Sequence, residues 1–530
     1  MTPGSDPMSR GPSSRNDAEA SDRDDLARGA GVNYLGHVAR LGARAPFLFL
    51  AGILYGEAAF GIYTFGLAAV ETGAALALFG MKRSLSKWLS DAVSGGEDIH
   101  GVMAKGIALA LCTGTLITLA LAAGSGPMAR AFGLPGAALP LLVLCLALPM
   151  IVLSDILLVA IRFTRQMRFE VYARSILEPV TLTVSVVILY YLGAESLGLV
   201  LGYVAALTAA AGATLVFFVR LYDVRKVVRA PVRWQDLRAL VSFTGPTAAY
   251  ELAVLLANRA DVFLVSYFTP AASVGIYGMA REFSTVTKKI RQGFNPILRP
   301  VLADSIAAGA LGRARDQLVT VSRWILSTQV PVILIFVFFA HDLLGLLGGQ
   351  FAGGALVLIL LMVGDAVEGA LGVNEVPIVY LRPRANISIG VLWLLTNLGL
   401  GFWLVQSLGP EGMALAVALS LTVVNAARVG VNRLHLGLDT LEAKLVKPLV
   451  AAVPALAAGW GVNALLGPFP PWTLVAGIPT LLVVYLGGLL LLGLDPQDRA
   501  QLRRLRDRIR TRGPGPPRGE DADSADSTAL

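Results

Sequence analysis

Tyr277, Arg281, Ser284, Lys288 and Arg291 succeed one another at steps of three or four, which on a helix of about 3.6 residues per turn puts them on one face. That face is polar and mostly cationic, and it suits a negatively charged ligand. The segment before it runs from Phe243 at membrane length, yet Glu251, Asn258, Arg259 and Asp261 interrupt its apolar residues. Ionisable groups at membrane depth are costly and face a protein interior or a water-filled cavity. Arg259 and Arg281 are therefore the leading anion-binding candidates. Lys288 follows them, with Arg44, which ends the polar face Asn33, His37, Arg40, Arg44 ahead of an apolar run over 47–54. A competing account pairs Arg259 with Asp261 or Glu251 and Arg281 with Glu282, purely to hold helices together.

The elements that carry these residues come in two sets. Phe60-Gly61-Ile62-Tyr63 matches Val274-Gly275-Ile276-Tyr277, with 275 − 61 = 214, and Leu197-Gly198-Leu199 matches Glu411-Gly412-Met413, with 412 − 198 = 214. Two anchors at one offset indicate homologous halves, a plan by which transporters place a site between two bundles. The apolar runs are long and continuous rather than short and alternating, which excludes a β-barrel and makes the chain all-α. Loops rich in Arg and Lys alternate with loops nearly free of them. By the positive-inside rule, about 14 spans with both termini cytoplasmic satisfy this alternation. The segment from Lys82 to Trp88 is amphipathic and expected on the membrane surface.

The chain has 530 residues, 55% hydrophobic and only 15% charged, which marks a polytopic membrane protein. Its net charge of +8 lies in short inter-helix loops, where contact with anionic lipid headgroups accounts for it and nucleic acid is not implied. Cys112 and Cys145 stand in apolar runs without metal or redox spacing and read as small buried hydrophobes. No Gly-rich phosphate loop, metal-ligand spacing or nucleophile elbow is present, and the loops on the outer side are short. A membrane glycosyltransferase or polymerase, which needs a catalytic carboxylate or a sizeable outer loop, is thereby disfavoured. An ATP-driven pump without a separate nucleotide-binding subunit is disfavoured too. Residues 1–25 have no apolar core before a cleavage site and read as a tail rather than a signal peptide.

The segment 57–89 with Phe60-Gly61-Ile62-Tyr63, the segment 258–268 with Asp261, the segment 339–355 with Leu343, Leu344 and Gly348, and Leu408-Gly409-Pro410-Glu411-Gly412-Met413-Ala414 together resemble the polysaccharide transporter (Wzx-type) oligosaccharide flippases. These belong to the superfamily that also holds lipid II flippases and multidrug and toxin extrusion antiporters. The resemblance implies two rocking six-helix lobes, over 32–220 and 241–435, joined by a basic connector at 221–240. Two added helices over 447–494 and tails at 1–31 and 495–530 complete the expected plan. It implies a polyprenyl-diphosphate-linked oligosaccharide as cargo, moved across a bacterial cytoplasmic (inner) membrane for surface or exopolysaccharide biosynthesis, with membrane lipids, a polysaccharide polymerase and export machinery as partners. No cofactor and no enzymatic step is expected. Coupling to a proton or sodium gradient or to membrane potential would fall to Glu251, Asp261, Asp365 or Glu368, whose charge can change with their surroundings. Lipid II or a drug cation are the alternative cargoes, the latter calling for an acidic, aromatic-lined cavity. One departure from the family pattern, Asn374-Glu375-Val376-Pro377 followed by Arg382-Pro383-Arg384, falls where an inner gate is expected.

Overall fold

The computed structural model describes residues 12–493 except 97, 165, 196 and 467–469, and for 12–41 and a few single positions it describes the backbone only. Among the described residues there are helices and no strand. In chain order they are α1 (Pro12–Leu78), α2 (Met81–Gly95), α3 (Ile99–Ala131), α4 (Ala138–Cys145), α5 (Ala147–Phe163), α6 (Met167–Glu170), α7 (Glu178–Tyr191), α8 (Leu197–Leu221) and α9 (Val224–Arg229). The second half contributes α10 (Trp234–Phe268), α11 (Ala271–Ala307), α12 (Leu311–Phe338), α13 (Ala340–Gly345), α14 (Ala355–Leu371), α15 (Glu375–Leu381) and α16 (Pro383–Leu436). Last come α17 (Lys447–Leu466) and α18 (Pro470–Leu491).

Two of these helices fold back on themselves. Gly56 sits at φ 75° and ψ 179°, a conformation open to glycine and strained for other residues. The rings of Phe47 and Tyr63, on either side of it, lie 6.0 Å apart, where a straight helix would hold them about 24 Å apart. Gly409, at φ 62°, turns α16 in the same way, and a Cβ on Gly412 would fall on the Leu404 carbonyl oxygen. Ten helical stretches among the described residues are long and apolar enough to cross a membrane, both folded-back helices among them. The charge-interrupted α10 and α11 fall outside the ten. Large apolar side chains such as Leu116, Leu119, Val184, Ile188 and Trp403 face outward, as a hydrocarbon surround requires and water would not tolerate in such number. Hydroxyls inside these helices often donate to a carbonyl one turn earlier, as when Thr72 donates to the Ala68 carbonyl at 2.7 Å.

The halves meet through backbone. A Cβ added at Gly61 would fall on the Ala271 carbonyl oxygen, and one added at Gly275 on the Glu57 carbonyl oxygen. Both members of this reciprocal contact are 214 residues apart, so the two crossings are equivalent. Phe60, Tyr63, Val274 and Tyr277 form one buried core around them.

Several expectations are corrected. Residues 12–31, expected in the tail, continue the helical path of α1, consistent with their Ala, Glu and Arg content. The tail positions 1–11 and 494–530 lie outside the described residues. The α2 helix does not reserve its apolar face for lipid, because Met81, Leu85, Leu89 and Ala92 are buried in the protein core. Cys145 is buried but Cys112 is exposed on α3. The connector is pinned to the first half, with the Tyr222 hydroxyl donating to the Ala160 carbonyl at 2.8 Å and Lys105 pairing with Asp236 at 3.2 Å. The run over 355–381 tightens to a 3₁₀ turn at Gly372–Asn374 without losing its helical path.

The chain divides after Val446 into two compact units. In the second, α17 and α18 pack on each other, and Lys447 Nζ donates to the Gly493 carbonyl at 3.2 Å.

Candidate functional site

The cationic stripe forms as expected on α11, and the structure supplies it with carboxylates from other helices. Arg281 Nε donates to Asp261 Oδ2 at 2.6 Å, its Nη2 to the Asn258 carbonyl at 2.5 Å, and the Tyr277 hydroxyl to the same Asp261 oxygen at 2.9 Å. Lys288 Nζ lies 3.7 Å from Asp365 Oδ1, while the Thr287 hydroxyl donates to Asp365 Oδ2 at 2.8 Å. Arg291 reaches Glu368 at 3.1 Å. Asn258, Asp261, Arg281, Lys288, Arg291, Asp365 and Glu368 line a cavity of about 240 Å³ in the second half.

Sequence reading missed part of this cavity. Glu368 is shared with Arg428 at 3.2 Å and with the Asn425 amide at 2.6 Å, and Arg428 also holds Glu375 at 3.1 Å. The common face of Asn425, Arg428 and Asn432 was the available signal. Asn374, in the stretch that departs from the family pattern, accepts from Asn432 at 2.9 Å and Thr440 at 2.8 Å, so it ties the end of α16 to the turn before α15.

A second charged cavity, of about 420 Å³, lies in the first half. Arg174, which reads from sequence as a cytoplasmic loop mark, is largely buried there against Asp155 at 2.6 Å and Glu178 at 3.2 Å. Lys82 joins Asp155 at 2.7 Å. The linings correspond. Arg44 and Asn258, Leu67 and Arg281, Ala74 and Lys288, Ile151 and Asp365, and Pro179 and Trp393 each line the two cavities at a separation of 214 residues. Each lining holds four cationic and four acidic side chains. The expectation of one cationic cavity is thereby corrected to two charge-balanced ones, because α5, α7, α14 and α15 contribute acids that the stripe alone does not reveal.

The remaining candidates bridge the halves. Arg44, on the first-half cavity wall, donates through Nη2 to Glu282 Oε1 at 3.0 Å, and Arg259 is hydrogen-bonded to Glu71. The local pairings expected for Arg259 with Asp261 or Glu251, and for Arg281 with Glu282, are not the ones formed. Helical phase explains this: Arg281 points to α10 and its neighbour Glu282 to α1. The two bridges are close to symmetric, since 259 − 44 = 215 and 282 − 71 = 211. Arg259 lines neither cavity, and Glu251 lies half-buried two turns earlier on α10, also outside both linings. Arg44 stands twelve residues from Gly56, about 18 Å along the helix, so the ion pairs lie toward the end opposite the Gly56 fold-back.

The sequence matches the family of polysaccharide biosynthesis proteins over residues 26–306, more than half of the chain. The chain belongs to that family. No curated protein matches it by sequence. Its fold resembles that of the lipid II flippase MurJ in an inward closed conformation, with a TM-score of 0.66, 13% identity, and 86% of this chain and 97% of that one covered. It resembles equally a multidrug resistance MATE family transporter of the MOP superfamily in an inward-facing conformation, at TM-score 0.62 and 14% identity, covering 76% and 98%. A Vibrio cholerae MATE transporter, VcmN, follows at 0.53 and 15%, covering 78% and 98%. The chain shares the fold of these transporters, and this family member is a multi-pass membrane protein.

Proposed function

We propose that the protein is a flippase that carries a polyprenyl-diphosphate-linked oligosaccharide across the bacterial cytoplasmic membrane by alternating access. The observation that supports this most is the pair of ion bridges between halves, Arg44 with Glu282 and Arg259 with Glu71. A diphosphate cannot enter hydrocarbon unaccompanied, and guanidinium groups match its oxygens bidentately. In the present state the arginines at the interface hold carboxylates. A diphosphate arriving there takes over the guanidinium, releases Glu71 and Glu282, and so loosens the link that holds the halves together. Rocking about the Gly61 and Gly275 crossing then transfers the cargo. In this reading fourteen spans, with α1 and α16 each crossing twice and α10 and α11 crossing despite their charges, form two lobes and an added pair.

Moving the population between access states takes about 5 kcal/mol of differential affinity. Released carboxylates supply a means: a freed Glu71, Glu282 or Asp365 takes up a proton or cation, which ties transport to a gradient. The balanced charge of both cavities gives no support to a drug-cation cargo, for which an excess of acid is required.

Complementation of a bacterial strain lacking its own oligosaccharide flippase tests the reading. Wild type is expected to restore surface polysaccharide, and Arg259→Ala and Arg281→Ala to fail at matched membrane expression. Failure of the wild type with a panel of glycans, or full activity of both variants, would overturn it.

A further inference from the structure

The two cavities are equivalent in position but not in chemistry, and one of their differences lies along a single helix face. Asn386, Trp393 and Asn397, spaced seven and four residues apart along α16, line the second-half cavity. Their counterparts 214 residues earlier are Tyr172, Pro179 and Thr183, of which only Pro179 lines the first-half cavity. The second half therefore presents two amides and an indole where the matching segment of the first half presents the ionic side chains of Glu170, Arg174 and Glu178.

Two polar atoms of this cavity's lining are buried without a hydrogen-bond partner among the described residues. Asn397 is 2% exposed, and its Nδ2 is fixed by donation to the Ala257 carbonyl at 2.7 Å, which leaves Oδ1 as an unused acceptor. Arg428 is 8% exposed, its two terminal nitrogens are engaged with Glu368 and Glu375, and its Nε is an unused donor. A buried polar group left unmatched costs about 1–3 kcal/mol, so one of each sign on residues that line one cavity suits a ligand that both donates and accepts. A hydroxyl-bearing neutral ring satisfies both, and its C–H face can lie against the indole of Trp393, which is itself steadied by the Ile378, Ile389 and Val424 cluster.

We propose that this cavity is a saccharide subsite, holding the sugar bonded to the diphosphate, with Trp393 as its stacking platform and Asn397 and Arg428 as its hydroxyl partners. The proposal rests on the headgroup reading above and adds to it a place for the first sugar. At about 240 Å³ the cavity is smaller than the ~300–1,000 Å³ typical of drug-sized sites, which fits one ring rather than a chain. Arg281, Lys288 and Arg291 on the same walls are placed to hold the attached phosphates.

The test uses the full-length protein in lipid nanodiscs and saturation-transfer NMR with three probes, glucose 1-phosphate, galactose 1-phosphate and N-acetylglucosamine 1-phosphate, beside titration with inorganic diphosphate. Saturation is expected to reach the ring C–H protons of at least one probe. Trp393→Leu should weaken that probe at least tenfold while leaving inorganic diphosphate affinity within twofold, and Trp393→Phe should retain most of the binding. Diphosphate binding with no ring saturation from any probe overturns the subsite alone, as does Trp393→Leu binding the sugar phosphate like wild type. Absence of both sugar phosphate and diphosphate binding overturns the headgroup reading and the subsite with it.

Discussion

At the residue scale, function rests on which partner each buried charge holds. The Arg44–Glu282 bridge is half-buried, so its loss falls between the roughly 0–1 kcal/mol of an exposed pair and the roughly 3–5 kcal/mol of a buried one, about 2 kcal/mol. Glu282→Ala is expected to slow transport several-fold, and the exchange Arg44→Glu with Glu282→Arg to recover most of the loss. Transport by the double variant no better than by Glu282→Ala would argue against the bridge. Asp365 is 2% exposed and engages Lys288. Asp365→Asn keeps the Thr287 hydrogen bond but removes the charge that competes for Lys288, so inorganic diphosphate should bind several-fold more tightly and the response of transport to an imposed proton gradient should disappear. Calorimetric titration and a flux assay read the two effects separately, and unchanged values in both would contradict this role for Asp365. Arg44, Lys288 and Asp365 were legible in sequence from the polar faces and interrupted apolar runs to which they belong. Their partners were not. Helical phase relates neighbours three or four apart, whereas Arg44 and Glu282 are 238 residues apart and Arg259 and Glu71 are 188 apart.

At the element scale, the reciprocal crossing at Gly61 and Gly275 sets how the halves approach. A side chain at either glycine meets backbone, which has no rotamer with which to yield. Gly61→Leu is expected to cost about 1–3 kcal/mol, lowering the melting temperature in detergent by several degrees, and to slow transport more than it destabilises. Gly124→Ala, where nothing lies within 4 Å of the added Cβ, should do neither. The 214-residue repeat of the Gly-Ile-Tyr segments marked this crossing in the sequence, since small residues recur where helices approach closely. The fold-back points at Gly56 and Gly409 were legible as short turns between apolar runs. The 3₁₀ turn over Gly372–Asn374 was not, because it leaves the hydropathy pattern uninterrupted. The same holds for α2, whose amphipathic pattern fits a membrane surface and a protein core alike and whose apolar face the core takes.

At the scale of the whole molecule, the repeat produces two cavities at matching positions and two bridges between the halves, and the linings then depart from symmetry, with Asn386, Trp393 and Asn397 in the second half only. Composition and loop charge were sufficient to read the membrane class and the helical fold. The balanced charge of each cavity was hidden, because the acids reside on helices distant in sequence from the stripe they face. The central claim is tested most directly in proteoliposomes loaded with a fluorescent polyprenyl-diphosphate saccharide, in which quenching from outside reports the leaflet it occupies. The account expects wild type to move the lipid well above protein-free vesicles, and the double variant Arg44→Ala with Arg259→Ala to move it at least tenfold more slowly. Movement by wild type no faster than in protein-free vesicles, or undiminished movement by the double variant, would contradict it.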